Sequence, residues 1–453
     1  MSDKPLSAAP DRRARTTLVA ACLAMLTLGV NGTAIMAALP TMRHALGLSA
    51  GELEWAINAY LIVSAACIIP GGKLCDSVGA RRICLIGLVL FAVASVVVAT
   101  AQVPAALLAG RALQGLAAAL GVPATLAAIN EASAPDRRPA AIGAWAGFLM
   151  LGFSLGPLIG GALTHFIDWR VIFWASGLAM LVAVAGFTGA SAGTGKRHGE
   201  RFDWTGFVLL AVFMASLLLA LQALPTLASA PVHVMGFGTL AVVACIALVK
   251  LENRLADPLI DLALFQQSAF VRAVALGAVA MGSILSLLLY YNLDAQSTAG
   301  LALTPVGAGL SLLPMSLGLL AFAFAAPGLV RRFGACRAVG GGTLLIAVGS
   351  MVIAGAVAWQ DWATLLIGLF AIGTGLALPY ATAPRLALAT LPPDAAGSGS
   401  GLINACTFLA GSLGVSVGAI MFSVAGLPGV MGLIACLGLL GAVLCRGLPG
   451  AAP

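Results

Sequence analysis

A chain of 453 residues that is 61% hydrophobic and only 9% charged cannot cover itself with polar groups as a soluble globule, so composition excludes that class and points to an integral membrane protein. The formal net charge of +7 comes from Lys and Arg placed singly or in short groups between apolar runs. Such placement speaks of membrane topology and anionic lipid and says nothing of nucleic acid, which is not expected as a partner.

Apolar runs near the roughly 20 residues needed to cross a bilayer as a helix recur along the chain. Fourteen spans are expected, at 17–39, 53–71, 83–101, 105–129, 140–164, 171–191, 204–224, 232–250, 269–292, 305–326, 338–358, 362–384, 400–423 and 427–446. Their unbroken apolar character favours helices over the alternating strands of a barrel. The first follows Arg12, Arg13 and Arg15 as a signal peptide would, yet it is too long and runs into "NGTAIMAALP" without a cleavage pattern. It is expected to remain a span.

Of the 23 Lys and Arg residues, 20 fall in alternate tails and loops, leaving Arg43, Arg170 and the mid-span Arg111. The positive-inside rule then places both termini in the cytoplasm and the protein in the cytoplasmic (inner) membrane. Nine cysteines are scattered singly, as reduced packing thiols, and His44, His165, His198 and His233 do not cluster. No metal or other cofactor is expected. There is no G-x-x-x-x-G-K-[ST] loop for nucleotide-driven pumping and no cluster of acids or His/Asp pair for a membrane-embedded enzyme.

The longest polar interruption, 191–203, and a second charged loop, "KLENRLADPLIDL", bracket two spans. The expected organisation is a six-helix bundle over 1–190, linkers with two inserted helices over 191–265, and a second six-helix bundle over 266–453. A weak repeat supports it: in "GKLCDSVGARR" and "PGLVRRFGACR", Leu74, Gly79, Ala80 and Arg82 align with Leu329, Gly334, Ala335 and Arg337. Both segments follow the second span of their half.

Three segments carry a more specific likeness. "GKLCDSVGARR" resembles the loop between spans two and three of the major facilitator superfamily, and "LAGRALQGLAAA" resembles its fourth-span motif around an arginine. "GFLMLGFSLGPLIGG" resembles the fifth-span motif of its exporters. With "WAINAYLI", "DWRVIF", "RFDWTGFVLL" and "DPLIDLALF", the order and spacing are similar to the fourteen-span drug/proton antiporter branch, with looser likeness after residue 265. The resemblance implies an all-α transporter fold of two six-helix bundles plus two inserted helices, working by alternating access with small molecules and protons as partners. A monomer is expected.

In this reading Gly72, Asp76, Gly79, Arg81 and Arg82 form a cytoplasmic gate, the glycines permitting a tight turn and Asp76 meeting a helix amino terminus or Arg81. A solvated loop that only sets topology is the alternative. Arg111 lies mid-span with Gln114 and Gly115 on the same face, and because a central arginine is costly it must face protein or a wet cavity. It serves a cavity role, in proton coupling or in contact with a polar substrate, or else a purely structural one bonded to backbone carbonyls. Gly152, Gly156 and Gly160, at four-residue intervals, with Pro157 and Gly161, make a smooth strip for close helix contact and, by the resemblance, a seal against proton leak.

Exporters of this branch usually carry an acid in the first span, where this chain has Asn31. Of the 16 acidic residues none is near a span centre, with Glu131, Asp294 and Asp361 at edges. Asp294 is the candidate proton carrier, or else an ordinary outer-loop carboxylate. Asn31, Asn58, Gln114, Tyr290 and Asn404 are candidates to line the cavity beside Arg111, along with Tyr380 and Asn292. A deep arginine without a partner acid favours neutral, zwitterionic or anionic amphiphiles as cargo. A proton-independent facilitator or a lipid or metabolite flippase of the same fold is the competing reading.

Overall fold

In a computed structural model, which describes residues 12–188, 203–224, 231–255, 258–298, 300–391 and 396–446, the chain is all-α, with no strand among the described residues. The amino-terminal helices are α1 (Arg12–Leu46), α2 (Ala50–Val78), α3 (Ala80–Ala99), α4 (Pro104–Ala132), α5 (Arg138–Phe166) and α6 (Arg170–Thr188). Next come α7 (Trp204–Ala223), α8 (Pro231–Glu252) and a 3-10 turn at Leu262–Gln266. The rest are α9 (Ser268–Ala295), α10 (Pro305–Ser311), α11 (Leu313–Phe333), α12 (Ala335–Trp359), α13 (Trp362–Leu388) and α14 (Ala396–Cys445).

Thirteen of these helices are long and apolar enough to cross a membrane. The longest, α14, leaves helical geometry at Ala425 (φ −137°, ψ 17°) and Gly426 (φ 60°, ψ −154°), so it comprises two crossings and the expected fourteen are present. The expected span 305–326 is interrupted at Leu312, where Pro314 opens α11 without a backbone N–H to continue α10. The chain is a multi-pass membrane protein.

Helix α1 packs along α5 and against α4 and α6, while α2 and α3 both pack on α4. Further along, α9 packs on α13 and α14, and α12 bridges α13 and α14. Helices α7 and α8 form a pair, with α7 laid against both α2 and α14. Direct contact between the early and late helices runs through α2 with α14, α5 with α10 and α11, and α1 with α9. Among the described residues Lys and Arg gather at the α2–α3, α4–α5, α8–α9 and α11–α12 connections, which make up a basic face.

The repeat detected in the sequence has a backbone counterpart. Gly79 (φ 105°, ψ 137°) ends α2 and starts α3, and Gly334 (φ 81°, ψ 156°) ends α11 and starts α12. A single residue joins two helices at each place. The positive φ that this reversal needs is strained for any residue with a Cβ.

The charged landmarks of the inserted segment are structural caps. Asp203 accepts a hydrogen bond from Gly206 N at the start of α7, and Asp261 accepts one from Ala263 N at the 3-10 turn. Glu252, 3% exposed, accepts from Ile260 N at 3.2 Å and folds the connection back so that Leu259, Ile260 and Leu264 are buried.

Candidate functional site

Arg111 is held in the middle of α4 by the insertion of α4 among its neighbours, and it is 1% exposed. Its Nε donates to the Ala56 carbonyl at 2.8 Å, and Nη1 donates to Asn31 Oδ1 at 3.0 Å and to Gln114 Oε1 at 2.7 Å. The guanidinium stacks over Tyr60, 4.6 Å from the ring centroid. Asn31 in turn donates to Ser176 Oγ at 3.2 Å on α6, and Gln114 donates to Ser95 Oγ at 2.9 Å on α3. One network thus ties together α1, α2, α3, α4 and α6. No carboxylate is among the described partners, so neutral oxygens and one aromatic face replace the hydration that a buried cation has lost.

The other candidates do not join that network. Asn58, fully buried on α2, donates to Ser416 Oγ at 3.0 Å and accepts from Ser412 Oγ at 2.7 Å, and so stitches α2 to α14. Tyr290 on α9 donates to the Val415 carbonyl at 2.6 Å and stacks near Phe422. Asn404 bonds to its own helix, at the Ser400 carbonyl, and Asn292 likewise to the Leu288 carbonyl. Tyr380 meets Phe153 edge-on with ring centroids 6.2 Å apart, across the contact between early and late helices. The structure therefore divides the expected single cavity into a central arginine network and a separate seam.

Among the edge acids, Asp294 is partly buried at the end of α9, near Tyr291, with Oδ2 buried and lacking a hydrogen bond. Tyr291 itself pairs with Ser311 at 2.6 Å. Glu131 is exposed at the end of α4. Asp361 caps α13; the Thr364 hydroxyl and the Ala363 N–H donate to it and hold its carboxyl below the usual carboxylate range.

At the basic face, Gly72 lies within α2 and Arg82 is exposed on α3. Arg81 donates to the Phe187 carbonyl at 3.2 Å and to the Thr188 carbonyl, capping the end of α6. Lys73 donates to the Pro258 carbonyl at 3.1 Å, joining α2 to the connection after α8. The Asp76 side chain lies outside the described residues.

The α5 strip is a contact surface. A methyl group on Gly152 would fall 2.5 Å from the Leu26 carbonyl oxygen, while methyls on Gly156 and Gly160 would collide with Thr33 and Ala34. One on Gly161 would strike the Pro305 carbonyl, and the Pro157 carbonyl closes on Gly309. The strip packs α5 on α1 and its far end on α10.

Three contributors were missed by sequence reasoning. Tyr60, within "WAINAYLI" on α2, comes to Arg111, and Ser176 of α6 comes to Asn31; no local spacing ties either to the arginine. Glu54 had a readable signal: it stands four residues before Asn58, hence on the same face of α2. The Ser49–Glu52 capping box starts that helix at Ala50, one turn earlier.

The Major Facilitator Superfamily model matches residues 20–315. The tetracenomycin C resistance and export protein of Streptomyces glaucescens is 29% identical over 90% of this chain and 76% of its own length. Multidrug resistance protein Stp of Mycobacterium tuberculosis is 28% identical over 88% of this chain and 74% of its own. Among solved structures, the peptide transporter POT superposes with a TM-score of 0.70 at 17% identity, covering 96% of this chain and 94% of that one. With the all-α fold and more than half its length matched by the family model, the chain belongs to the Major Facilitator Superfamily.

Proposed function

We propose that this protein is a secondary active exporter. It moves small amphiphilic molecules, such as drugs, antibiotics or metabolites, out across the cytoplasmic membrane in exchange for protons, by alternating access. The basic face is the cytoplasmic one, with both termini inside. Two six-crossing halves, 1–190 and 266–453, rock about the contacts of α2 with α14 and α5 with α10 and α11, and 191–265 supplies the inserted pair. Resistance and export proteins similar along most of the chain support the direction of transport. The protein acts as a monomer.

The observation that carries the substrate class is the central guanidinium, hydrogen-bonded to Asn31 and Gln114 and touched by no described carboxylate. Its positive field repels lipophilic cations and favours neutral, zwitterionic or anionic cargo. Gly72, Gly79, Asp76, Arg81 and Arg82 act as the cytoplasmic gate, and Asp294 exchanges protons on the far face. A growth-inhibition screen of an exporter-deleted host tests the reading, comparing wild type with Arg111→Ala at equal surface expression. Protection against uncharged or anionic compounds, lost in Arg111→Ala, is the expected result. Strong export of a permanent dication that is indifferent to Arg111 would overturn the charge assignment.

A further inference from the structure

Glu54 and Gln222 meet where four helices converge. Glu54 lies one turn before Asn58 on α2, and Gln222 stands beside it near the end of α7. Glu54 Oε2 and Gln222 Nε2 are both buried, and neither makes a hydrogen bond of ordinary geometry. Tyr290 of α9 is close enough to feel the Glu54 charge, and its hydroxyl is tied to Val415 of α14. Immediately below, Asn58 holds Ser412 and Ser416. The carboxyl group therefore sits at the head of the seam between α2 and α14, roofed by the inserted helix α7.

Among the described residues no cation of the packed elements lies beside it, Lys73 standing near the opposite end of α2. Helices α7 and α14 contain no charged residue within Trp204–Ala223 and Ala396–Cys445. On α2, Glu52 is bound to Ser49. On α9, Arg272 is near the opposite end of the helix and Asp294 lies by Tyr291. Arg111 of α4 directs its donors to Ala56, Asn31 and Gln114.

An ionised carboxylate only accepts hydrogen bonds, and a buried oxygen without a donor is costly. A protonated carboxyl can donate as well, and a carboxamide offers one acceptor and a donor pair to match it. Closing the seam over Glu54 therefore favours the protonated acid paired with Gln222, whereas water entering the seam favours the ion.

We propose that Glu54 is a proton-binding residue of the α2–α14 seam, whose protonation closes the seam on the face opposite the basic one and whose ionisation admits water there. The inference rests on the transporter reading above, in which this seam opens and closes, and it supplies a second proton site distinct from Asp294.

Hydrogen–deuterium exchange of the full-length protein in lipid nanodiscs tests it. Peptides covering 50–60 and 410–425 are followed at about pH 5 and about pH 9, a span that brackets buried carboxyl groups, with correction for intrinsic exchange. In wild type these peptides should lose protection severalfold at the higher pH. Glu54→Asp should keep that response, and Glu54→Gln should stay protected at both values. An unchanged pH response in Glu54→Gln, or none in wild type, overturns the proposal. Should Glu54→Gln fail to fold, Gln222→Leu serves instead: an unaltered pH dependence in that variant is equally contradictory. No substrate or gradient is used, so a seam response without export would sink the exporter reading alone, whereas proton-driven export with a Glu54-independent seam would sink this one alone.

Discussion

Arg111 keeps its charge in the membrane interior because three oxygens and a tyrosine ring are arranged around its planar fork. A lysine has the same charge but one compact head, so Arg111→Lys should leave Asn31 or Ala56 without its donor. Each lost charge-assisted bond is worth about 1.5–3 kcal/mol, and a clear fall in the thermal unfolding midpoint, followed by tryptophan fluorescence, is expected. Equal stability would mean that the network does not hold α4 in place. Asn31→Asp places a carboxylate 3.0 Å from the same guanidinium, if the side-chain geometry is retained. Neutralising the central field should extend export to monovalent lipophilic cations, read as a raised inhibitory concentration; a spectrum identical to wild type would contradict the proposed charge filter.

At this scale the sequence was half legible. The cost of an arginine in a span demanded a polar environment, and Gln114 lay on the same helical face. The Ala56 carbonyl, Tyr60 and Ser176 belong to other helices and become neighbours only through packing, which no local spacing encodes. Glu54 escaped because the expected span began at 53, one residue before it; starting the helix from the Ser49–Glu52 capping box places it a full turn inside.

Between elements, small residues decide which helices approach closely. On α5, a side chain at Gly156 meets Thr33 of α1, whereas on α4 a methyl at Gly121 meets no atom within 4 Å. Gly156→Leu should therefore cost folded, membrane-inserted protein, seen as loss of the monodisperse peak in size-exclusion chromatography. Gly121→Ala should be tolerated, since in a helix alanine is favoured by about 0.5–1 kcal/mol over glycine. Comparable yields for the two variants would contradict the packing seam. The four-residue glycine spacing made this strip readable in advance. The break at Leu312 was not, because it depends on how a proline-bearing end settles against its neighbours: Pro314 interrupts one expected span, whereas the bend at Ala425–Gly426 falls between the expected spans 400–423 and 427–446.

Across the whole molecule, the matched turns at Gly79 and Gly334 and the α2–α14 and α5–α10 contacts support the proposed division into two halves that move as bodies. Apolar runs made the crossings legible; the surface on which α7 rests, shared between α2 and α14, was not, since an all-round apolar helix gives no sign of which face is packed. An arginine with no counter-ion among the described residues makes proton exchange the step on which the proposed mechanism turns. Its most direct test is proton flux in proteoliposomes: a compound identified by the growth screen is added while a pH-sensitive dye reports the lumen. Antiport predicts that substrate entry drives protons outward and that an imposed pH gradient accelerates accumulation of substrate against its concentration. Substrate movement at the same rate with and without the gradient, with no dye response, would contradict it and identify a passive facilitator.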